Sequence, residues 1–305
     1  MIRILVTDGM AKSAVKRLEE LGFEVVTQFF EPEALAEQVK TFDALVVRSA
    51  TKVRKPVLDA AAETGRLKLI IRGGVGVDNI DVSYANEKGI EVKNTPNASS
   101  ASVAELAIGH LFAVARNLAF ANVSMRNGAW EKKACTGVEI YGKTLGLIGF
   151  GRIGAETAKR AKALGMKVIY TNRSGPKVEA EEYSWVSMDE LLAEADFISL
   201  HLPAGKDAQP LINQENIAKM KDGVCIINTA RGVLVDEEAL LEALENGKVA
   251  AAGLDVYQEE PVKNLRLCSH PKVSVTPHIG ASTAEAQEHI GEEIVEHIVR
   301  RFCVQ

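Results

Sequence analysis

Short apolar runs alternate with amphipathic stretches along the first 95 residues of the chain. The runs IRILVTD, FEVVTQF, DALVVRS, LKLIIRG and IEVKN are rich in the β-branched residues that favour strands. The stretches between them, such as AKSAVKRLEELG and EPEALAEQVK, carry apolar residues three and four positions apart, the spacing of a helix with one buried face. Repeated alternation of this kind predicts a parallel sheet that is covered by helices on both faces.

The same alternation restarts at Thr144 and continues to about residue 277, through TLGLIGF, KVIYTN, FISLHLP, VCIINTA, AAAGLDV and VSVTPH. Each region has the size of a doubly wound domain, and 305 residues are enough for two separate cores. The sequence therefore predicts an α/β fold with two doubly wound parallel-sheet domains.

The last segment, STAEAQEHIGEEIVEHIVRRF, has the pattern of one amphipathic helix with Ser282 as its N-cap. We expect this helix to return to the first domain. The predicted first domain is then discontinuous, with residues 1–96 and 283–305, while residues 97–282 form the second domain. The connections near residues 95–100 and 280–285 are candidate hinges for a domain closure.

The segment SSASVAELAIGHLFAVARNLAFANVSMRNG between the two regions is apolar nearly all round. A helix without a polar face must be buried by another domain or by another subunit. Glu105, His110 and Arg116 interrupt the segment and argue against a membrane span. We favour a subunit interface, and a helix between the domains is the alternative.

The composition narrows the function classes. With 47% hydrophobic and 25% charged residues the chain resembles soluble globular proteins, and its net charge of −5 gives no reason to expect nucleic acid or an anionic membrane as partner. The opening MIRILVTDGM has the pattern of a strand and not of a secretory leader, so we expect a cytoplasmic protein. The four cysteines are scattered and the six histidines lack a ligand spacing, so we expect reduced thiols and no metal.

Three glycines in a G-x-G-x-x-G pattern, Gly149, Gly151 and Gly154, follow a predicted strand and open a predicted helix. This context gives the motif its meaning: the glycines permit a tight turn, close approach of a pyrophosphate and close helix packing, and the helix N-terminus favours the phosphate charge. A tight turn without a ligand is the less favoured alternative. The sequence predicts a dinucleotide cofactor.

The strand after this fingerprint ends in Asn172, where an acidic residue that binds both ribose hydroxyls of NAD is expected. Asn172 can still hydrogen-bond a hydroxyl group but carries no charge, and Arg173 with Ser174 could bind a 2′-phosphate. The alternative for Arg173 is a solvated surface position. We expect NAD as the cofactor, with NADP as the alternative.

Three later segments each hold polar residues at the carboxyl end of a predicted strand. INTARG supplies Arg231, LDVYQEEP supplies Asp255 and Glu260, and VTPHIGAST supplies His278. Taken singly, they could cap a strand, lie solvated in a loop or form a buried imidazole. Taken together with the fingerprint, and in this order, they resemble the D-isomer-specific 2-hydroxyacid dehydrogenase family over essentially the whole chain.

The resemblance implies a Rossmann-type cofactor domain, a flavodoxin-like substrate domain and a small-molecule 2-hydroxy or 2-oxo acid as substrate. It implies that Arg231 binds the substrate carboxylate or 2-oxo oxygen, that His278 exchanges a proton with that oxygen as hydride is transferred, and that Glu260 holds His278 and favours its imidazolium. Asp255 is implied to contact the nicotinamide carboxamide. The implied cofactor contacts are Gly149, Gly151, Arg152, Ile153, Gly154, Asn172, Arg173, His201, Leu202, Pro203, Thr229, Ala230, Arg231, Asp255, His278 and Gly280.

Within the family, VVRSATKV and RGGVGVDNID are most similar to the branch that oxidises 3-phosphoglycerate. By this resemblance the first loop holds a substrate phosphate, the second brings backbone N–H groups to the carboxylate, and WEKK reaches the neighbouring subunit of a homodimer. The implied substrate contacts are Arg48, Ser49, Thr51, Lys52, Gly73, Gly74, Val75, Gly76, Ser99 and Lys132. Solvated charges are the alternative for RSATK.

Three departures from the family pattern bear on these expectations. Asn172 replaces the usual Asp, Ser99 stands where many relatives carry Asn, and the chain stops at Gln305, before the regulatory domain of longer relatives. The alternative substrates are glyoxylate, hydroxypyruvate and other 2-oxo acids. The NRS sequence after the second strand favours this alternative, because it is reminiscent of NADP-using reductases of such acids. A hypothesis of another class is a dinucleotide-sensing interaction protein on the same scaffold, comparable to the corepressors of this family.

Overall fold

The computed structural model describes residues 1–205 and 208–303. The chain forms two compact units: unit 1 comprises Met1–Ser99 with Ala281–Gln305, and unit 2 comprises Ser100–Gly280. The sequence predicts these two boundaries at 96/97 and 282/283, which differ from those of the structure by three and two residues. Val304 and Gln305, at the end of the predicted first domain, lie outside the described residues. Both units contain a parallel sheet with helices, so the predicted α/β fold class is confirmed.

Unit 1 contains a five-stranded parallel sheet in the order β2-β1-β3-β4-β5, the flavodoxin-like order, which reverses direction between β1 and β3. Its strands are β1 Arg3–Val6, β2 Glu24–Thr27, β3 Ala44–Val47, β4 Leu69–Arg72 and β5 Glu91–Asn94. Its helices are α1 Lys12–Glu20, α2 Pro32–Gln38, α3 Lys55–Thr64, α4 Val82–Glu87 and α12 Ala284–Phe302.

Successive residues of the unit 1 strands enter two different cores. Leu5 and Leu45 pack in the core on the side of α2 and α3, whereas Ile4 and Val46 pack on the other side with α1 and α12. This double burial explains why the strands are continuous apolar runs. The terminal helix packs against α1, as expected, but its N-cap is Thr283 and not Ser282, because it is the Thr283 hydroxyl that accepts the Ala286 N–H.

Unit 2 contains a seven-stranded parallel sheet in the order β12-β11-β10-β9-β6-β7-β8, which reverses direction between β6 and β9. Its strands are β6 Thr144–Ile148, β7 Lys167–Thr171, β8 Ser184–Trp185, β9 Phe197–Leu200, β10 Val224–Asn228, β11 Val249–Leu254 and β12 Val273–Val275. Its helices are α5 Ser100–Ala115, α6 Leu118–Arg126, α7 Arg152–Ala163, α8 Met188–Glu194, α9 Gln214–Lys219, α10 Glu237–Asn246 and α11 Leu265–Cys268. The two-residue strand β8 is absent from the sequence prediction.

The apolar segment predicted as one helix is two helices, α5 and α6, which meet at a 68° bend. Asn117, with a left-handed φ of 53°, ends the first helical direction. Helix α5 packs against α7, β10 and β11 of its own unit, so one side of it covers its own sheet, a location that the sequence prediction did not include. The predicted subunit interface for this segment stays a prediction. Among the described residues no single helix is long and apolar enough to cross a membrane, and α5 and α6 reach that composition only as a bent pair.

Candidate active site

The glycine fingerprint forms a turn between β6 and α7 that only glycine can occupy at two of its three positions. Gly149 has a φ of 99°, and a Cβ there would lie 2.4 Å from the carbonyl oxygen of His201. A Cβ on Gly154 would lie 2.4 Å from the carbonyl oxygen of Gly149. At Gly151, the N-cap of α7, a Cβ would meet no atom within 4 Å, so the helix N-terminus opens onto free space. This cradle fits a pyrophosphate.

Asn172 follows the last residue of β7 and carries an orphaned donor. Its amide nitrogen is buried and has no hydrogen-bond partner among the described residues, whereas its oxygen accepts from the Ser174 hydroxyl at 3.4 Å. A buried unpartnered donor in this position fits a hydroxyl oxygen of a bound ribose. Arg173 and Ser174 are exposed next to it. The residues present therefore fit a dinucleotide.

The other predicted cofactor residues lie at the carboxyl ends of the neighbouring strands. His201, Leu202 and Pro203 follow β9, and the His201 ring contacts the Ser199 hydroxyl at 2.9 Å. Burial lowers the pKa of His201 to about 4, so this ring is neutral at neutral pH. Thr229 and Ala230 follow β10, where the buried Thr229 hydroxyl is a second orphaned group among the described residues. Arg152, which is exposed, and Ile153, which is half-buried, begin α7.

Glu260 and His278 form a close pair. Nδ1 of His278 lies 2.6 Å from Oε2 of Glu260, and both side chains are more than a third exposed, at 39% and 38%. The second carboxylate oxygen accepts the Tyr257 N–H at 3.2 Å. Burial would raise the pKa of Glu260, but the hydrogen bond and charge of His278, helped by Arg231, hold it below its ordinary value. A carboxylate is therefore fixed against one ring nitrogen.

Asp255 organises the segment that carries His278. The carboxylate, at 1% exposure, accepts the N–H groups of Ile279 and Gly280 at 2.8 and 2.9 Å, and its backbone oxygen accepts the His278 N–H at 2.8 Å. His278 itself has a left-handed φ of 53°, which costs about 1–2 kcal/mol in a non-glycine residue. Asp255 therefore holds this loop in a strained conformation, a structural role that sequence reasoning missed.

Arg231 is held by its own turn after β10. Its Nη1 donates to the carbonyl oxygen of Ala230 at 2.6 Å, and the side chain is half-buried. Asn228 accepts the Ala230 N–H at 3.0 Å and donates to the Arg231 carbonyl oxygen at 2.8 Å. Asn228 is fully buried and so fixes the turn that presents Arg231; only its place at a strand end could have pointed to it. Arg231, Glu260 and His278 all belong to unit 2.

The RSATK loop of unit 1 lies at the point where the sheet order reverses, since it follows β3 and touches Asp8 after β1. Asp8 accepts the N–H groups of Arg48 and Thr51 at 2.6 and 3.0 Å, and Asn79 donates to their carbonyl oxygens at 2.6 and 2.7 Å. Asp8 and Asn79, which sequence reasoning missed, thus hold the loop by all four of these backbone groups. The crevice at such a reversal is where ligands of doubly wound sheets bind.

Not all of the predicted phosphate ligands in this loop point outward. The Thr51 residue is 3% exposed and its hydroxyl contacts Asp8 at 2.6 Å, so its prediction as a phosphate ligand is corrected: it ties the loop to the interior. Ser49 and Lys52 are exposed. Arg48 is half-buried and its guanidinium donates to Gln287; burial lowers the pKa of Arg48 while Asp8 opposes this.

The glycine-rich loop after β4 offers fewer backbone donors than predicted, because the Gly73 N–H already donates to the Val47 carbonyl oxygen at 2.8 Å. Gly74 has a φ of 142° and is buried, as is Gly73, whereas Gly76 is half-buried and Val75 is exposed.

The remaining predicted substrate contacts lie outside these two loops. Ser99 is buried at 2% exposure. Lys132 is exposed in unit 2. Among the described residues no group of three or more His, Cys, Asp or Glu side chains could hold a metal ion.

Comparison with known proteins gives consistent matches. The family model for the D-isomer specific 2-hydroxyacid dehydrogenase, NAD binding domain, matches residues 108–280. The chain is 51% identical over 308 residues to the hydroxypyruvate reductase of Thermotoga maritima, covering 99% of both chains. It is 49% identical over 301 residues to the D-3-phosphoglycerate dehydrogenase of Methanocaldococcus jannaschii, covering 98% of this chain but 57% of that protein. The solved structure of a glyoxylate reductase from Paecilomyes thermophila matches with a TM-score of 0.89 at 35% identity, covering 98% of this chain and 94% of that one.

Proposed function

The chain belongs to the D-isomer-specific 2-hydroxyacid dehydrogenase family, as its motifs predicted, and we propose that within this family it interconverts 3-phosphoglycerate and 3-phosphohydroxypyruvate. It is an NAD-dependent oxidoreductase of small 2-hydroxy acids. The observation that carries the chemistry is the Glu260–His278 pair, a carboxylate 2.6 Å from one imidazole nitrogen.

In the proposed mechanism His278 is the acid–base group. In the reduction it donates a proton to the 2-oxo oxygen of the substrate, and in the oxidation it takes that proton back. Glu260 keeps the ring oriented and places a negative charge beside it, while Arg231 binds the substrate carboxylate and polarises the 2-oxo group. NAD, when bound, supplies the hydride acceptor and, as NADH, the hydride. The groups that would hold it are the Gly149–Gly154 turn, Asn172 and the residues after β9 and β10.

The assignment of a phosphorylated substrate rests on the RSATK loop. Lys52 and Ser49 are exposed and Arg48 is half-buried, which leaves two cations and one hydroxyl as phosphate ligands after Thr51 is excluded. Because Asp8 and Asn79 hold the loop backbone, these side chains project from a fixed frame. Cations on a fixed frame bind a phosphate with less loss of conformational entropy.

Hydroxypyruvate is the second candidate substrate, and two observations favour it. The inward Thr51 hydroxyl removes one predicted phosphate ligand. In addition, a relative that this chain matches over 99% of its length is a hydroxypyruvate reductase. Both candidates share the three-carbon 2-oxo acid and differ only in the phosphate, so a single loop distinguishes them.

Replacement of Lys52 by glutamine tests the substrate. A charged hydrogen bond contributes about 1.5–3 kcal/mol, so kcat/KM for 3-phosphohydroxypyruvate should fall about ten- to a hundredfold. For hydroxypyruvate the value should stay close to that of the wild type. Arg54→Gln is the matched control, because Arg54 is an exposed cation two residues away whose guanidinium donates to Asp78. Equal losses with both substrates, or a wild-type enzyme that reduces only hydroxypyruvate, would favour the second candidate.

We further propose NAD over NADP, a homodimer and a cytoplasmic location. Asn172 can bind a ribose hydroxyl without Arg173, which supports NAD. The exposed apolar residues Leu118, Val123 and Met125 of α6, together with Trp130, support a subunit contact. Sedimentation of the purified protein tests the dimer. Loss of turnover in a His278→Gln variant would argue against a purely dinucleotide-sensing protein.

A further inference from the structure

Helix α5 contacts the segment that carries His278 at both ends of that segment. Near the start of the helix, the Ser102 hydroxyl donates to the Gly280 carbonyl oxygen at 2.7 Å. Two turns later His110, which is 2% exposed, contacts the Thr276 hydroxyl through Nε2 at 3.0 Å. The segment is therefore bonded to the same helix, α5, on both sides of His278. None of the proposed proton-transfer steps uses these contacts.

The hydrogen bonds around His110 have a defined direction. The Thr276 hydroxyl has one hydrogen, which it donates to Oδ1 of Asp255 at 2.6 Å, so towards His110 it can only accept. The Nε2 atom of His110 must then carry a proton. Burial lowers the pKa of His110, so the ring is neutral and its Nδ1 is an acceptor, which the Ser274 hydroxyl satisfies at 3.1 Å. Each group therefore donates to the next: Ser274 to His110, His110 to Thr276, and Thr276 to Asp255.

The end of this chain is the group that holds the catalytic loop. Asp255 accepts the N–H groups of Ile279 and Gly280 in addition to the Thr276 hydroxyl. Between those contacts His278 is kept at a φ of 53°, a conformation that persists only when its surroundings enforce it. The ring of His110 also packs against Gly253, where an added Cβ would lie 2.7 Å from the Cβ of His110. Residue 253 therefore has to be small for His110 to lie in this place.

We infer that His110 is a positioning residue for hydride transfer: it orients the Thr276 hydroxyl towards Asp255 and so fixes the loop 276–280 that presents His278. The inference rests on the proposed role of His278 as the acid–base group. His110 acts only through Thr276 and Asp255 and is not itself among the implied cofactor contacts, so its loss should slow the chemical step more than it weakens cofactor binding.

Thr276→Val is the decisive variant, because it removes the hydroxyl while keeping the shape of the side chain and the backbone N–H bond to Leu254. Small misplacements of reacting groups slow the chemical step strongly, so kcat should fall about tenfold or more. The KM for the 2-oxo acid and the Kd of NADH should change by less than about twofold. Thr276→Ser retains the hydroxyl and should restore kcat. His110→Leu should match Thr276→Val, and His110→Gln, which keeps an N–H donor, should recover part of the rate.

Control variants separate the effect of the Ser274–His110–Thr276–Asp255 hydrogen-bond chain, called the relay below, from general destabilisation. Thr157→Val removes another buried hydroxyl of unit 2, one that donates to Ile153 within α7, and should leave kcat unchanged at a similar loss of stability. The double variant of His110→Leu and Thr276→Val should lose no more than the larger single loss, because both break one chain.

The outcomes also distinguish this inference from the proposed function. A Thr276→Val enzyme with wild-type kcat, or additive losses in the double variant, would overturn the relay while His278→Gln still abolished turnover. Wild-type turnover in His278→Gln would instead overturn the proposed mechanism and the inference with it. A lowered kcat in Thr276→Val that Thr276→Ser restores, at unchanged Kd, supports the relay.

Discussion

Replacement of Glu260 by glutamine removes the charge beside His278 and nearly preserves the shape of the side chain. The two groups are joined by a 2.6 Å contact, and a glutamine oxygen can still accept from Nδ1. Because the pKa of Glu260 lies below its ordinary value, the carboxyl group is ionised throughout the neutral range. The substitution therefore deletes a full negative charge at neutral pH and leaves the ring a hydrogen-bond acceptor.

The size of the effect follows from the geometry of the pair. The variant keeps a hydrogen bond and loses only the attraction between carboxylate and imidazolium. Exposed ion pairs contribute about 0.2–1 kcal/mol, and with 39% and 38% of the two side chains exposed this close pair belongs near the upper end. A loss of about 1 kcal/mol corresponds to a kcat for reduction lower by about fivefold.

The assay follows NADH consumption with a 2-oxo acid, and the reverse reaction with the hydroxy acid, at one neutral pH. Reduction starts from a protonated ring, which loses the attraction of the carboxylate, so kcat for reduction should fall most. Oxidation, which needs the neutral ring, should lose less. Glu259→Gln is the matched control, because Glu259 is the neighbouring glutamate and pairs with Lys263 at 2.5 Å. Wild-type kcat for reduction, or a larger loss in oxidation than in reduction, would refute the reasoning.

Three further predictions concern the cofactor turn and the substrate loop. Asn172→Asp should raise the ratio of kcat/KM for NADH over NADPH by about tenfold, because a carboxylate repels a 2′-phosphate; an unchanged ratio would mean that residue 172 does not face the ribose. Gly154→Ala should destabilise the protein by about 1–3 kcal/mol and weaken NADH binding, because its Cβ would meet the Gly149 carbonyl oxygen. Gly109→Ala, on the open surface of α5, is the control and should change neither stability in urea unfolding nor the Kd in an NADH titration. Asp8→Ala should lower the free energy of unfolding by about 1–3 kcal/mol, because it leaves the Arg48 and Thr51 N–H groups without the oxygen that accepts both, and an unchanged unfolding midpoint would contradict this.

Local patterns were enough to predict both sheets of this protein. Apolar strands and amphipathic helices differ in their periodicity within a dozen residues, so the alternation of the two is readable from the sequence, and a parallel sheet follows from it. The fingerprint turn was predictable for the same reason, since Gly149 and Gly154 are required by contacts within one strand–turn–helix unit. The two-residue strand β8 is too short to show a period.

The sequence erred where neighbouring residues are chemically equivalent or where one residue changes the direction of the chain. Ser282 and Thr283 are both good caps, and only the backbone conformation decides that Thr283 accepts the Ala286 N–H. The break between α5 and α6 depends on Asn117 adopting a left-handed conformation without a glycine or proline to signal it. The burial of α5 by its own sheet likewise depends on packing and not on its composition.

The sequence by itself determined which residue types stand at the carboxyl ends of the strands, and hence that Glu260 and His278 could act together. Only the tertiary structure decided what each of those groups is bonded to. Thr51 turns inward to Asp8, 43 residues away, and His110 meets Thr276 across 166 residues. Bonds between positions so far apart leave no periodic trace along the chain, because they depend on how strands and helices pack and not on the order of the residues within them.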